Sequence, residues 1–107
     1  MFPVEQWTLP VSFSAGAGPV RMVTLDEYVK LHTESIPVES LTLPQRIEIA
    51  VKRIELQPES CLATVNDGRL GKKRMIEEIQ AKTDLGRSLL EIQRRTIDLV
   101  IAAARKE

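Results

Sequence analysis

The sequence predicts a mainly α-helical fold, a small bundle of about four helices preceded by an N-terminal β-hairpin or extended arm. From residue 24 onward, apolar residues recur at intervals of three and four, the spacing of one helix face, and threonines stand at cap positions. Before residue 24, apolar and polar residues alternate around a break rich in glycine, which is typical of strands. We therefore divide the chain into an extended arm or hairpin over residues 1–23 and a helical domain over residues 24–107.

Composition and charge indicate one ordinary globular domain. The chain has 107 residues, of which 43% are hydrophobic and 28% are charged. Its net charge is zero, but residues 1–60 carry five basic against eight acidic side chains, whereas residues 61–107 carry ten against seven. A chain that wraps nucleic acid usually has a far larger basic excess. We interpret the uneven charge as attraction between the two halves, within one molecule or between two copies.

Cysteine usage and the N-terminal residues predict a cytoplasmic protein. Cys61 is the single cysteine, so the chain can form neither an internal disulfide nor a cysteine-rich zinc site. The first 18 residues lack the basic and apolar regions of a signal peptide. No segment approaches the ~18 consecutive apolar residues of a membrane helix. We expect no membrane contact, no metal and no cofactor.

The N-terminal hairpin rests on residues 11–23. Residues 11–14 alternate apolar and polar, residues 15–19 break the pattern, and residues 20–23 could return as a second strand. Pro10 lacks an N–H group, so it restricts the first strand to a sheet edge or a bulge. A lone two-stranded hairpin is only marginally stable, so a loose arm is the alternative.

Two helices are predicted in the first part of the helical domain. Thr24 and Glu27 have the spacing of a capping box and begin a helix over about residues 25–33, which ends before Pro37. Thr42 caps a second helix that continues to Pro58. The apolar face of this second helix comprises Leu43, Ile47, Ala50, Val51 and Ile54, with Ile49 and Leu56 on the opposite side.

The segment after Pro58 is ambiguous before the helical pattern resumes. Residues 59–68 could form a short helix or a strand and a turn, and we favour the helix because residues 60–63 contain no β-branched side chain. A further helix is predicted over residues 69–82. Thr83 and Asp84 then form a new cap, which predicts a sharp corner between two helices in preference to one kinked helix.

The last helix, predicted over residues 85–104, carries two adjoining apolar faces and one charged side. One face follows the alternating spacing of a coiled-coil seam and consists of Leu85, Leu89, Ile92, Thr96, Leu99 and Ala103. The other face consists of Leu90, Ile97, Ile101 and Ala104. A helix with two apolar faces must pack against two partners. One is the rest of its own chain, and the second is either the same chain, if this is the central helix of the bundle, or the same helix of a second copy. We therefore predict a homodimer, with the seam face as its interface, and a non-enzymatic adaptor or regulatory domain that binds protein partners.

A nucleic-acid-binding regulator is the alternative function. Residues 69–74 carry four basic side chains at the start of a predicted helix, where cations oppose the helix dipole and could instead contact phosphates. The predicted contacts are Lys72, Lys73 and Arg74. Arg87, Arg94 and Arg95 could extend the basic surface. Two acidic residues follow directly, however, which weakens the pattern.

No residue pattern in the chain predicts catalysis. His32 has no second histidine with which to chelate a metal, and Cys61 has no neighbouring base in the sequence that would lower its pKa. Both are interpreted as structural or surface residues. We therefore predict no catalytic, metal-binding or cofactor-binding residue.

Overall fold

The fold is mainly α-helical, with a small hairpin near its N-terminus, as predicted. A computed structural model of the chain describes residues 4–16, 18–57, 64–65, 68–69 and 71–106. Its strands are β1 (Pro10–Phe13), β2 (Met22–Thr24), β3 (Thr64–Val65) and β4 (Gly68–Arg69). Its α-helices are α1 (Leu25–Val29), α2 (Leu43–Leu56), α3 (Lys72–Ala81) and α4 (Asp84–Ala104). Short 3-10 helices cover Val4–Thr8 and Val38–Ser40.

The N-terminal hairpin is formed by β1 and β2, so the loose-arm alternative is wrong. The two strands pair antiparallel, and the register shifts between Pro10 and Ser12. This irregularity places Pro10 beside a bulge, as its missing N–H predicts. The strand is buried along its whole length instead of alternating, because the Ser12 hydroxyl donates to the Ile36 carbonyl and so can enter the core.

The hairpin packs directly on the helices. Val11 and Phe13 of β1 share one buried cluster with Leu25, Ile49 and, from α4, Ile97 among others. A second cluster joins Ala50 and Ile54 of α2 to Met75, Ile79 and Leu89. Both α2 and α4 therefore contribute to both clusters. The boundary proposed between residues 23 and 24 stays a prediction.

The first helix is shorter than the sequence predicts. Glu27 accepts a hydrogen bond from the Thr24 backbone N–H at 3.0 Å, as the capping pattern requires, but α1 ends at Val29 instead of near residue 33. His32 has a φ of 51°, in the left-handed region, and the Thr33 N–H donates to the Glu27 carbonyl. The chain therefore reverses directly after one helical turn.

The second helix begins and ends as predicted but turns a different face inward. Thr42 caps it, and its hydroxyl accepts from the Gln45 N–H at 3.3 Å. Ile49 was predicted on the outer side and is buried, whereas Leu43 was predicted inside and is 49% exposed. The prediction is wrong here because α2 is buried on two sides, by β1 and α4 as well as by α3.

Between α2 and α3 the structure differs from the prediction in two ways. Thr64–Val65 pairs antiparallel with Gly68–Arg69, so the short helix favoured over residues 59–68 is wrong at residues 64, 65 and 68. The other residues of 58–70 lie outside the described part of the chain. The helix predicted from residue 69 begins at Lys72, because Arg69 belongs to β4 and Gly71 is the cap.

Helices α3 and α4 meet at the predicted corner. Lys82 has a φ of 57° and reverses the chain, and the Thr83 hydroxyl accepts from the Gly86 N–H at 3.0 Å to begin α4. The two helices touch at Gly86, where an added Cβ would lie 1.9 Å from the Glu78 carbonyl oxygen. Glycine is therefore needed at this position for space and not for an unusual backbone conformation.

Candidate interaction surface

Helix α4 buries one side in its own chain. Its buried residues are Gly86, Leu89, Ile97, Ile101 and Ala104, which we call the inner face. Of the apolar face predicted beside the seam, Ile97, Ile101 and Ala104 are thus buried, and Leu90 is half-buried. Within this face, Leu89 belongs to the cluster with α3, whereas Ile97, Ile101 and Ala104 belong to the cluster with β1 and α1.

The predicted seam is divided between the interior and the surface. Its first two members, Leu85 and Leu89, pack against α2 and α3, and Leu89 is only 2% exposed. Leu89 is therefore not available to a second chain, and Leu85 is only partly so. The remaining members form what we call the outer row: Ile92, Thr96, Leu99 and Ala103. In this row Ile92 is 44% exposed, Leu99 is 70% exposed, Ala103 is exposed and Thr96 is half-buried.

The polar member of the outer row is satisfied within its own helix. The Thr96 hydroxyl donates to the Ile92 carbonyl at 2.9 Å. A hydroxyl bonded in this way no longer requires water as an acceptor, so Thr96 can be covered at little cost. The outer row can therefore act as a continuous apolar stripe two heptads long.

The charged side of α4 is a network of ion pairs. Glu91 accepts from Arg94 at 3.1 Å and from Arg95 at 3.3 Å, and Arg94 also lies 3.6 Å from Asp98. The hydrogen bond from Arg94 is the main cause that lowers the pKa of Glu91 below its ordinary value, so the carboxylate is charged at neutral pH. Two cations and two anions leave this charged side of the helix without net charge. Arg95 lies next to Leu99 of the outer row, and its ion pair with Glu91 reduces the charge that a second copy would meet there.

The basic residues proposed for nucleic acid are largely engaged by the protein itself. Lys72 donates to the Glu55 carbonyl at 3.2 Å, and Arg74 pairs with Glu78 at 2.9 Å. Lys73 is exposed. Because two of the three cations have acceptors in their own chain, the segment offers less free charge than the sequence indicates. Binding of nucleic acid stays a prediction.

The residues considered for chemistry are not brought together. His32 is exposed beside Lys30 and Arg105 at a shallow surface depression, and Cys61 lies outside the described residues. Within the described ranges, no group of three or more His, Cys, Asp or Glu side chains could hold a metal ion. No described helix is long and apolar enough to cross a membrane.

One buried group was missed by the sequence analysis. Arg53 of α2 is fully buried, and its guanidinium donates to Gln93 Oε1 at 3.3 Å, to the Pro10 carbonyl at 3.1 Å and to Gln6 Oε1 at 2.8 Å. Burial lowers the pKa of Arg53 to about 10, so the group is still charged at neutral pH. No carboxylate in the described part of the chain pairs with it. Nothing in the local pattern of α2 marks this arginine, since its acceptors lie 40 or more residues away.

Comparison with known protein families, with curated proteins and with solved structures finds no significant match to this chain.

Proposed function

We propose that this chain is a small non-catalytic interaction domain that self-associates through the outer row of α4. The observation that carries the proposal is an apolar stripe with heptad spacing, left uncovered on a helix whose other side is packed into the core. Burying exposed apolar surface is favourable at roughly 25 cal/mol per Å², so this stripe gains free energy when it is covered. A cytoplasmic adaptor or regulatory role accords with the composition.

A second copy of the same helix is the occupant that fits best. Positions Ile92, Thr96, Leu99 and Ala103 repeat the four–three spacing with which identical helices interdigitate their side chains. In a pair of such rows Thr96 and Leu99 would lie at the centre, with Ile92 at one end and the small Ala103 at the other. Arg95, which lies next to the row, is paired with Glu91, so its charge opposes the contact only weakly.

The size of the row sets the expected affinity. From Ile92 to Ala103 the helix rises ~17 Å. A row of this length covers only part of the roughly 800 Å² per partner that stable interfaces bury. We therefore expect a reversible dimer with a dissociation constant on the order of tens of micromolar.

Sedimentation equilibrium between about 10 and 300 µM tests the proposal. The wild-type chain should change from monomer to dimer across this range. Leu99→Glu places a charge at the centre of the row and should leave a folded monomer at every concentration. Leu43→Glu is the matched control, because Leu43 is 49% exposed but lies on α2, and it should dimerise like the wild type.

Three results would contradict this function. They are a wild-type chain that is monomeric at the highest concentration, a Leu99→Glu variant that dimerises normally, and a Leu43→Glu variant that loses the dimer. The last would move the interface to α2.

A further inference from the structure

A groove lies on the other side of α4, between this helix, α2 and β1. Its volume is about 180 Å³. The apolar lining includes Val11, Leu41, Ile49, Ala50, Leu90 and Ile97. A cavity of roughly 150 Å³ accommodates one benzene ring, so this groove can take an apolar body of about six to eight carbons. It is much too small for a helix of a partner protein.

A buried positive charge stands behind this apolar lining. The Arg53 guanidinium donates to Gln93 Oε1, and Gln93 itself lines the groove. A guanidinium can only donate, so the oxygen of the Gln93 amide must face Arg53 and its NH₂ group must point elsewhere. No described residue accepts a hydrogen bond from that NH₂ group. Among the described residues this donor is unbonded, and it belongs to a groove-lining side chain that is polarised by a buried cation.

The rim of the groove supplies a second positive group. Arg46 is half-buried and has no ion-pair partner among the residues that the structure describes. Arg94 is paired with Glu91 and Asp98, which also lie at the rim, and Arg87 lies 3.6 Å from Asp84. Glu39, the remaining acidic residue of the rim, is exposed, so water weakens its field. Three arginines and three carboxylates line the groove, so its rim is balanced, and the buried Arg53 behind the lining supplies the excess positive charge.

From this arrangement we propose that the groove binds a small amphiphilic carboxylate. Its chain of about six to eight carbons lies on the apolar lining, and its carboxylate accepts from the Gln93 NH₂ group and from Arg46. The carboxylate supplies the counter-charge that Arg53 lacks in the described protein. Ile97 lines this groove and lies ~140° around α4 from Ile92, so ligand binding does not require or block the outer row.

Hexanoate, 1-hexanol and hexylammonium separate the contributions of the apolar chain and the charge. Each compound is titrated into the wild-type protein up to about 50 mM while backbone amide shifts are followed by NMR. Hexanoate should bind about tenfold more tightly than hexanol, because a hydrogen bond to a charged acceptor is roughly twice as strong as a neutral one. Hexylammonium should bind more weakly than either. Equal affinity for all three compounds, or no shifts of groove residues with hexanoate, overturns the proposal.

Gln93→Glu tests the carboxylate position inside the groove. The new carboxylate can still accept from Arg53, but it replaces the free NH₂ donor with negative charge. Hexanoate affinity should fall at least about tenfold and hexanol affinity should stay unchanged. Hexanoate binding at wild-type strength would overturn the proposal.

Arg46→Gln provides a second test at the rim of the groove. It should weaken hexanoate binding by about threefold or more without affecting hexanol. The matched control is Lys73→Gln, which removes an exposed cation that does not line the groove and should bind hexanoate like the wild type. An Arg46→Gln variant that binds hexanoate as Lys73→Gln does would contradict the assigned carboxylate position.

Discussion

The inner face and the outer row of α4 are built from the same kinds of residue but meet different surroundings. Leu89 and Leu99 both belong to the apolar seam, yet Leu89 is 2% exposed and Leu99 is 70% exposed. The inner residues contact α3, β1 and α1, whereas Ile92 and Leu99 belong to neither buried cluster and are 44% and 70% exposed. Apolar spacing therefore identifies rows on a helix, but which row is covered depends on the elements packed beside it.

Truncating one leucine on each side of α4 should give the largest difference in the free energy of unfolding. Leu89→Ala leaves a cavity in the cluster with α3 and should lower the free energy of unfolding by about 2 to 5 kcal/mol. Leu99→Ala removes a side chain that is already hydrated and should change the stability of the monomer by less than about 0.5 kcal/mol. Urea unfolding at a low protein concentration measures both values. Equal losses would mean that the outer row is covered in the monomer.

Adding a side chain at Gly86 should destabilise the contact between α3 and α4 and leave the outer row unaffected. Gly86→Ala forces a Cβ against the Glu78 backbone and should cost about 2 kcal/mol or more, although alanine favours the helix. Gly18→Ala is the matched control, since an added Cβ there meets no atom within 4 Å. Thermal unfolding of both variants checks this prediction. A Gly86→Ala variant as stable as wild type would show that α3 and α4 do not approach this closely.

Acid should weaken the corner that holds the inner face against α3. Hydrogen bonds from Thr83, and then from Arg74, lower the pKa of Glu78 below its ordinary value of 4.5. A carboxyl whose pKa is lowered by folding stabilises the protein above its unfolded pKa, and this contribution is lost as the pH falls through the folded pKa.

Glu78→Gln isolates this smaller effect from the other carboxylates. The melting temperature of wild type should exceed that of the variant at pH 6, and the difference should shrink as the pH is lowered from about 5 to 3. A difference that stays constant with pH would mean that ionised Glu78 does not support the corner.

The sequence predicts the features whose causes are local. Threonine caps at positions 24, 42 and 83, the bulge beside Pro10 and the corner after α3 each depend on neighbouring residues. These signals are sufficient for the number and order of the helices. The short strands β3 and β4 have two residues each, too few for any period to distinguish them from a helix.

Burial was harder to predict because it depends on distant partners. Arg53 is accommodated by Gln6, Pro10 and Gln93, which lie 40 to 47 residues away along the chain. Ile49 is buried because β1 packs on the side of α2 that would be exposed in an isolated helix. The seam of α4 was recognised from its spacing, but its division at Leu89 follows from the close approach of α3 at Gly86.

The side-chain methyl groups of α4 offer the most direct test of self-association through the outer row. Methyl NMR spectra of the wild-type chain would be compared between about 10 and 300 µM. Resonances of Ile92, Leu99 and Ala103 should move with concentration, while those of Ile97 and Ile101 on the inner face stay fixed. Spectra that do not change with dilution, or shifts confined to methyl groups away from the outer row, would contradict the account.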